Sequence, residues 1–215
     1  MKIKYFYDPL CGWCYAASPA LEMAKTQGIE IEGMYVGLFA GSNGRPLTKQ
    51  FAEHAWRNDQ LVRERTGQPY SDEYREKILG DLNSSFDSWM PTLAIAAHET
   101  KFKNKGLEFL AAIQKARFVE CLDVTNLQVL STISETLDWD KGNFLRLMQD
   151  PDFKKETQQN IRKNFATFES YNTEGIPLVV LENAGVECIL NPSLVYVKNP
   201  NPSVWLHSKT KNEAP

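Results

Sequence analysis

Two cysteines separated by two residues stand out in this sequence as side chains that could do chemistry. Cys11 and Cys14 follow a short apolar stretch and open a segment with helical periodicity. Across one helical turn this spacing brings the two sulfurs within reach of a disulfide bond, and the backbone N–H groups at a helix N-terminus favour a thiolate on the first sulfur. We therefore expect Cys11 to be the exposed nucleophile and Cys14 to lie one turn deeper as the resolving thiol.

A Cys-X-X-Cys pair can also be a structural disulfide or half of a zinc site. Structural zinc takes four ligands, but the remaining candidates are scattered and form no second pair. These candidates are Cys121, Cys188, His54, His98 and His207. Four cysteines in 215 residues are too few for a disulfide scaffold, and in a reducing compartment such a pair favours redox chemistry. We expect no metal and no cofactor, half-buried positions for the other two cysteines, and helix-surface positions for His54 and His98.

The elements that must position the pair are a strand before it and a helix after it. Residues 3–7 alternate in polarity as a strand does, and Asp8-Pro9 ends them. A helix is predicted over 13–27, with a kink at Pro19 and its end at Gly28. A second strand is predicted over 29–38. Its apolar residues fall on odd positions before Gly33 and on even positions after it, which indicates a bulge at that glycine. The resulting β-α-β unit predicts two parallel strands.

The chain beyond a loop at residues 41–46 has mainly helical patterns until about residue 171. Helices are predicted over 48–65, 71–79, 93–98, 107–121, 140–148 and 150–171. Another helix is predicted to begin at the capping-box pattern Thr125-Asn126-Leu127-Gln128 and to carry Leu130 and Ile133. The buried stripe of the helix over 48–65 is expected to contain Leu47, Phe51, Ala55 and Val62.

The last part of the chain is predicted to be β-structure. Two apolar runs, 178–181 and 186–190, flank Asn183-Ala184-Gly185 and indicate a hairpin. The first run is preceded by Gly175-Ile176-Pro177, where proline makes a cis peptide bond accessible. The prolines after residue 190 leave room only for a helix shortened to about 203–207 or for a remodelled end. Residues 209–215 are expected to be a disordered tail.

Together these motifs resemble the thioredoxin superfamily: a strand, Cys-X-X-Cys at a helix start, a kink proline and a distant proline before a strand. The long helical stretch between the second strand and Pro177 resembles the DsbA-like branch, and the resemblance covers about residues 2–190. It implies an α/β class and a thioredoxin-like fold with a large all-helical insertion. Residues 1–45 and 172–208 would form the thioredoxin-like domain, and 46–171 the insertion. In the family the backbone of the residue before the proline, here Ile176, pairs with substrate, while Pro177 faces the disulfide.

The resemblance implies a thiol–disulfide oxidoreductase that forms a mixed disulfide through Cys11 and resolves it with Cys14. Trp13, between the cysteines, is expected beside the exposed sulfur, where it would contact substrate, whereas Asp8 is expected to be an exposed turn residue. The expected partner is a protein with a disulfide or thiol, with glutathione as a further candidate. Because Gly12-Trp13 supplies no histidine, the reduction potential is expected between about −270 and −180 mV, as in a reductase or isomerase.

Composition narrows the class of protein and its partners. A hydrophobic content of 42%, a charged content of 24% and a net charge of −3 are typical of a soluble globular protein and give no reason to expect nucleic acid or an anionic membrane as partner. No apolar run reaches 18 residues, so no membrane span is predicted. Because Met1-Lys2 leads directly into the first strand, a cytoplasmic location is expected.

Two other functions remain open on the sequence. One is a glutathione-dependent transferase or isomerase like the kappa-class relatives, which use a serine near the same helix start; Ser18 is the nearby serine. The other is a non-catalytic chaperone or binding module on the same fold. The intact cysteine pair argues against the first, and tolerance of a double Cys→Ser substitution would identify the second.

Overall fold

The alternating residues near the N-terminus form the strand that organises the sheet of this computed structural model, which describes residues 1–207. Strand β1 (Lys2–Tyr7) leads into helix α1 (Gly12–Thr26) and then strand β2 (Glu30–Tyr35). The two strands pair in parallel, as predicted. The helix ends before Gly28, whose φ of 78° lies in the left-handed region that glycine adopts most readily.

The bulge predicted at Gly33 is wrong. Pairing between β1 and β2 runs without interruption through this residue, which lies opposite Tyr5. The apolar residues change from one face of β2 to the other because both faces are covered. Ile31 packs on one core and Met34 on the other. Glycine lets Leu107 pack closely on the strand, since a Cβ here would lie 2.9 Å from Leu107 Cδ2 and the leucine would have to shift.

The long middle stretch is helical as predicted, apart from a two-stranded ribbon. In chain order its elements are β3 (Arg45–Pro46), α2 (Lys49–Thr66), a π-helical turn (Tyr74–Ile78), β4 (Ser85–Phe86), α3 (Trp89–Lys101), α4 (Gly106–Phe118), α5 (Leu127–Thr136), α6 (Lys141–Gln149) and α7 (Pro151–Glu169). The antiparallel ribbon of β3 and β4 has only two residues on each strand, too few for a period-2 signal. The predicted domain boundary after residue 45 falls within β3, and the boundaries stay predictions.

Side-chain caps explain where several of these helices begin. Thr48 Oγ1 accepts the N–H of Phe51 at 3.2 Å, and Asp150 Oδ1 accepts that of Phe153 at 3.0 Å. The cap of α5 lies one residue later than predicted, because Asn126 rather than Thr125 accepts the N–H of Gln128.

The predicted hairpin completes the main sheet. Strands β5 (Leu178–Asn183) and β6 (Val186–Ile189) are antiparallel, and the sheet order is β2-β1-β5-β6. Ala184 and Gly185 both have positive φ, as a tight hairpin turn requires. The chain then forms α8 (Pro192–Val195) and a 3₁₀ helix (Pro202–His207) that buries Trp205 completely. The tail predicted at 209–215 lies outside the described residues.

The sheet has a hydrophobic core on each face. On one face, Tyr5 and Tyr7 pack with α1 and most of the middle helices. On the other, Phe6 and Met34 pack with Phe168 of α7. The carboxyl end of β1 and the start of α1 therefore lie beside the helices of the middle stretch, which contribute to the site described next. No helix within residues 1–207 is long and apolar enough to cross a membrane.

Candidate active site

Cys11 and Cys14 lie at the N-terminus of α1, as the sequence predicts. Cys11 is the N-cap residue with extended backbone (φ −79°, ψ 117°), and its Sγ accepts the N–H of Cys14 at 3.4 Å. Cys11 is half-buried and Cys14 is 0% exposed. This order of burial matches the expectation, while the roles of nucleophile and resolving thiol stay predictions.

The environment of Cys14 favours its neutral thiol. Burial, and then the neighbouring Cys11, raise the pKa of Cys14 well above its ordinary value. The backbone N–H of Asp8 acts in the opposite direction by donating to Cys14 Sγ at 3.5 Å. Tyr5, on β1, donates its hydroxyl to the carbonyl of Cys14 at 2.8 Å. The strand thus holds the first turn of the helix directly.

The expectation that Asp8 is an exposed turn residue is wrong: it is 0% exposed. Its carboxylate accepts three hydrogen bonds, from the N–H of Leu10 at 3.0 Å, the N–H of Phe39 at 3.1 Å and the hydroxyl of Ser88 at 2.6 Å. Burial raises the pKa of Asp8, whereas these bonds and the charge of Arg117 oppose the rise. The carboxylate therefore joins the cysteine loop to the segments after β2 and before α3.

Trp13 is held on several sides. Its Nε1–H donates to Asn58 Oδ1 at 3.0 Å, the guanidinium of Arg65 lies 5.4 Å from its ring centroid, and the ring of Tyr196 packs at 5.4 Å. The side chain does line the cavity that contains Cys11. Contact between Trp13 and substrate stays a prediction. In the structure the side chain also connects α1 to α2 and to the C-terminal segment.

The peptide bond between Ile176 and Pro177 is cis. Ile176 packs against the cores on both faces of the sheet, and the hydroxyl of Tyr196 lies 3.5 Å from the carbonyl oxygen of Pro177. Because Tyr196 also packs on Trp13, it connects the proline loop with the cysteine helix. The pairing of Ile176 and Pro177 with substrate stays a prediction.

A cavity of about 350 Å³ opens beside the cysteine pair. It is lined by Leu10, Cys11, Gly12, Trp13, Phe39, Arg45, Phe51, His54, Ala55, Asn58, Asp59, Tyr74 and Phe86. The helix-surface position expected for His54 is correct, and this surface faces the cavity. Helix α2 and the π-helical turn thus supply half of the residues that surround Cys11 in this cavity.

Asp59 is the residue of this wall that the sequence interpretation missed. It is 3% exposed, and Tyr74 donates its hydroxyl to Asp59 Oδ2 at 3.1 Å. A Cβ on Gly12 would lie only 2.1 Å from Asp59 Oδ1, so the carboxylate packs directly on the glycine between the cysteines. A signal was present in the sequence: position 59 falls on the buried stripe of α2, between Ala55 and Val62.

The remaining candidates lie away from this cavity. His98 is 1% exposed rather than on a helix surface, and its Nδ1 lies 3.2 Å from the carbonyl oxygen of Lys105. Cys121 and Cys188 are half-buried, as predicted. Ser18 donates to Gln114 Oε1 at 3.1 Å and lines a different cavity, which does not include Cys11. Within residues 1–207, no group of three or more His, Cys, Asp or Glu could hold a metal ion.

Comparisons with known proteins agree with this architecture. The model of the DSBA-like thioredoxin domain family matches residues 2–192. Two relatives are each named ClpXP adapter protein SpxH: one from Bacillus licheniformis is 26% identical over 169 residues (75% of this chain), and one from Halalkalibacterium halodurans is 24% identical over 196 residues (87%). The chain spans 52% and 60% of the lengths of these two relatives.

Among solved structures, the cytosolic disulfide reductase DsbM from Pseudomonas aeruginosa is similar over almost the whole chain. It has a TM-score of 0.81 at 25% identity, covering 97% of this chain and 98% of that one. The same protein with GSH gives a TM-score of 0.79. The predicted thioredoxin-like fold with a DsbA-like helical insertion is therefore confirmed.

Proposed function

The chain belongs to the family of DSBA-like thioredoxin domains, and from this premise we propose that it is a thiol–disulfide oxidoreductase that works as a reductase or isomerase. The observation that carries the proposal is the arrangement of the pair: Cys11 is half-buried at the helix N-cap, and Cys14 is buried one turn below it. The similarity to a disulfide reductase over nearly the full chain supports the same activity.

The proposed reaction proceeds through a mixed disulfide. The Cys11 thiolate attacks a substrate disulfide, one S–S bond replaces another, and the first substrate thiolate leaves. Cys14 then loses its proton and attacks the sulfur of Cys11, which releases the second substrate thiolate and leaves Cys11 and Cys14 joined. Two thiols of the protein are thereby oxidised and one substrate disulfide is reduced. The pair cannot close before the mixed disulfide forms, because the substrate disulfide is the oxidant. Burial favours the neutral thiol of Cys14, so the loss of its proton is the unfavourable part of the second step.

In this mechanism Asp8 positions the cysteine loop. Its three hydrogen-bond donors occupy both carboxylate oxygens, and its backbone N–H is the group that reaches Cys14 Sγ. A carboxylate so engaged holds Leu10 and the start of α1 in place. Its contribution to the chemistry is therefore geometry, together with one hydrogen bond to the resolving sulfur.

For the partner, we propose a disulfide or thiol on a protein, with glutathione as the small thiol that renews the pair. The cavity beside Cys11 offers apolar rings together with Arg45 and His54, a lining that suits a peptide with a carboxylate. The DsbM structure with GSH supports the choice of glutathione, and the cytosolic description of that reductase supports a cytoplasmic location.

Single cysteine substitutions test the proposal. Cys14→Ser should accumulate a mixed disulfide with a substrate protein or with glutathione through Cys11, because the resolving thiol is missing. Cys11→Ser should form none and should lose disulfide reduction. Mass spectrometry of the trapped species, with Cys121→Ser as the matched control that leaves the pair intact, gives the answer. Mixed disulfides of equal yield in both variants would contradict the assigned roles.

A non-catalytic binding module is the second candidate, because both curated relatives are named adapter proteins. In that case the surface of the fold would capture a partner without turnover. The variant Cys11→Ser/Cys14→Ser distinguishes the two functions: it should abolish an oxidoreductase but leave an adapter intact. Wild-type levels of disulfide reduction are expected only from the intact pair.

A further inference from the structure

A buried carboxyl lies against the cysteine motif, although it comes from a helix almost fifty residues later in the chain. Oδ1 of Asp59, on α2, packs against Gly12. It lies so close that any residue with a Cβ at position 12 would displace the carboxylate. Asp59 and Cys11 line the same cavity. Asp59 thus packs on the residue next to Cys11 and shares a cavity with it.

The groups that face Asp59 come from three neighbouring parts of the fold. Tyr74 of the π-helical turn donates its hydroxyl to Asp59 Oδ2 at 3.1 Å. Tyr70 donates its hydroxyl to the carbonyl oxygen of Gly12 at 3.3 Å, beside the carboxylate. The charge of Arg117, on α4, favours the carboxylate. Cys11, the N-cap residue of α1, lines the same cavity, and so do His54 of α2 and Arg45 of β3.

Burial has a larger effect on the pKa of Asp59 than the groups that stabilise its carboxylate. It raises the pKa of Asp59 to about 7, against which the hydroxyls of Tyr74 and Tyr70 and the charge of Arg117 act only in part. A carboxyl that titrates near neutrality beside a reactive group is a candidate for acid–base work. None of the steps proposed above uses it.

We propose that Asp59 is a positioning residue of the dithiol site that binds a proton when Cys11 is a thiolate and releases it when Cys11 enters a disulfide. The inference rests on the proposed function for its biological meaning. When two glutathione thiols reduce the disulfide and leave as one glutathione disulfide, they supply two electrons and two protons. Cys11 becomes a thiolate, Cys14 takes one proton, and Asp59 takes the other through solvent. Oxidation returns both protons and both electrons. By binding this proton, Asp59 keeps a second negative charge out of the cavity that contains the Cys11 thiolate.

The test is the pH dependence of Cys11 alkylation in the reduced full-length protein. Iodoacetamide is the probe, and peptide mass spectrometry separates Cys11 from the other three cysteines. The wild-type rate profile should contain an inflection near pH 7 from ionisation of Asp59, at which a like charge changes thiolate reactivity by about threefold to tenfold. Asp59→Asn keeps the shape of the side chain and should remove that inflection.

Two further variants keep the inference falsifiable even if Asp59→Asn does not fold. Tyr74→Phe removes a hydrogen bond that lowers the pKa of Asp59, so the inflection should move to higher pH. Glu64→Gln, an exposed carboxyl on the same helix, should leave the profile unchanged. Profiles of Asp59→Asn or Tyr74→Phe that superimpose on the wild type would overturn the inference. Alkylation needs no substrate turnover, so this failure is distinct from a failure of the proposed oxidoreductase activity, which the cysteine variants measure.

Discussion

Replacing Gly12 with alanine tests the packing between the cysteine motif and α2. The added Cβ would lie 2.1 Å from Asp59 Oδ1 and 3.3 Å from the hydroxyl of Tyr70. Since real contacts of a Cβ are longer than 3.0 Å, the buried carboxylate must move and weaken its bond to Tyr74. Overpacking costs about 1–3 kcal/mol and a buried hydrogen bond about 1 kcal/mol, so the free energy of unfolding should fall by about 2–4 kcal/mol.

Urea unfolding monitored by tryptophan fluorescence measures this loss, since the chain has five tryptophans, one of them at position 13. Gly142→Ala is the matched control. It lies in α6, and the nearest atom to its added Cβ, Asp140 Oδ1, is 3.4 Å away, an ordinary contact. Alanine is the better helix former by about 0.8–1 kcal/mol, so the control should be neutral or slightly more stable.

A double-mutant cycle then assigns the loss to one pair of residues. If Gly12→Ala acts through the carboxylate, it should cost less than about 1 kcal/mol in an Asp59→Ala background, because the clashing atom is absent there. A wild-type stability for Gly12→Ala would refute the reasoning. So would an equal cost in both backgrounds, which would place the strain elsewhere.

The remaining predictions concern buried charges. Folding raises the pKa of Asp59 to about 7, so the folded state keeps a proton that the unfolded state releases near pH 4. The free energy of unfolding should therefore fall as pH rises from about 4 to 7, by on the order of 4 kcal/mol at most. Urea titrations across this window should show a weaker fall for Asp59→Asn, and an unchanged slope would contradict the assignment. Arg117→Met should destabilise the protein by about 1–3 kcal/mol, since it removes a buried cation whose charge favours the carboxylates of Asp8 and Asp59. The exposed Arg162→Met should stay within about 0.5 kcal/mol of wild type, and a similar loss in both arginine variants would reject a charge effect.

Much of the fold could be predicted because its signals are local. The helix after Cys11 begins and ends within one residue of its predicted bounds, since the cysteine spacing and Gly28 both act within one turn. The hairpin turn at Ala184-Gly185 is likewise set by two adjacent residues. The prediction of a bulge at Gly33 was wrong because the pattern there depends on a contact that is distant in sequence. Apolar residues occur on both faces of β2 because α7 packs on its second face, and a helix so distant in sequence leaves no mark in the local pattern.

The same distinction applies to the candidate site. Cys11, Cys14 and Pro177 could be recognised from short motifs, whereas the wall around Cys11 comes from α2 and the ribbon strands β3 and β4. Asp8 was misjudged because a turn next to a proline is usually exposed, but its carboxylate is covered through bonds to Phe39 and Ser88. Neither partner is close to it in sequence.

The burial of Asp8 and Asp59 bears on why the site is built this way. Removing a carboxylate from water is unfavourable, and replacing a buried charge network with apolar residues of similar size is often neutral or stabilising. A chain under no other demand could place leucine on the stripe of α2 at position 59. Instead it places there a carboxyl that restricts position 12 to glycine and needs the hydroxyl of Tyr74. Stability of the fold does not account for this choice, whereas control of the charge beside Cys11 does.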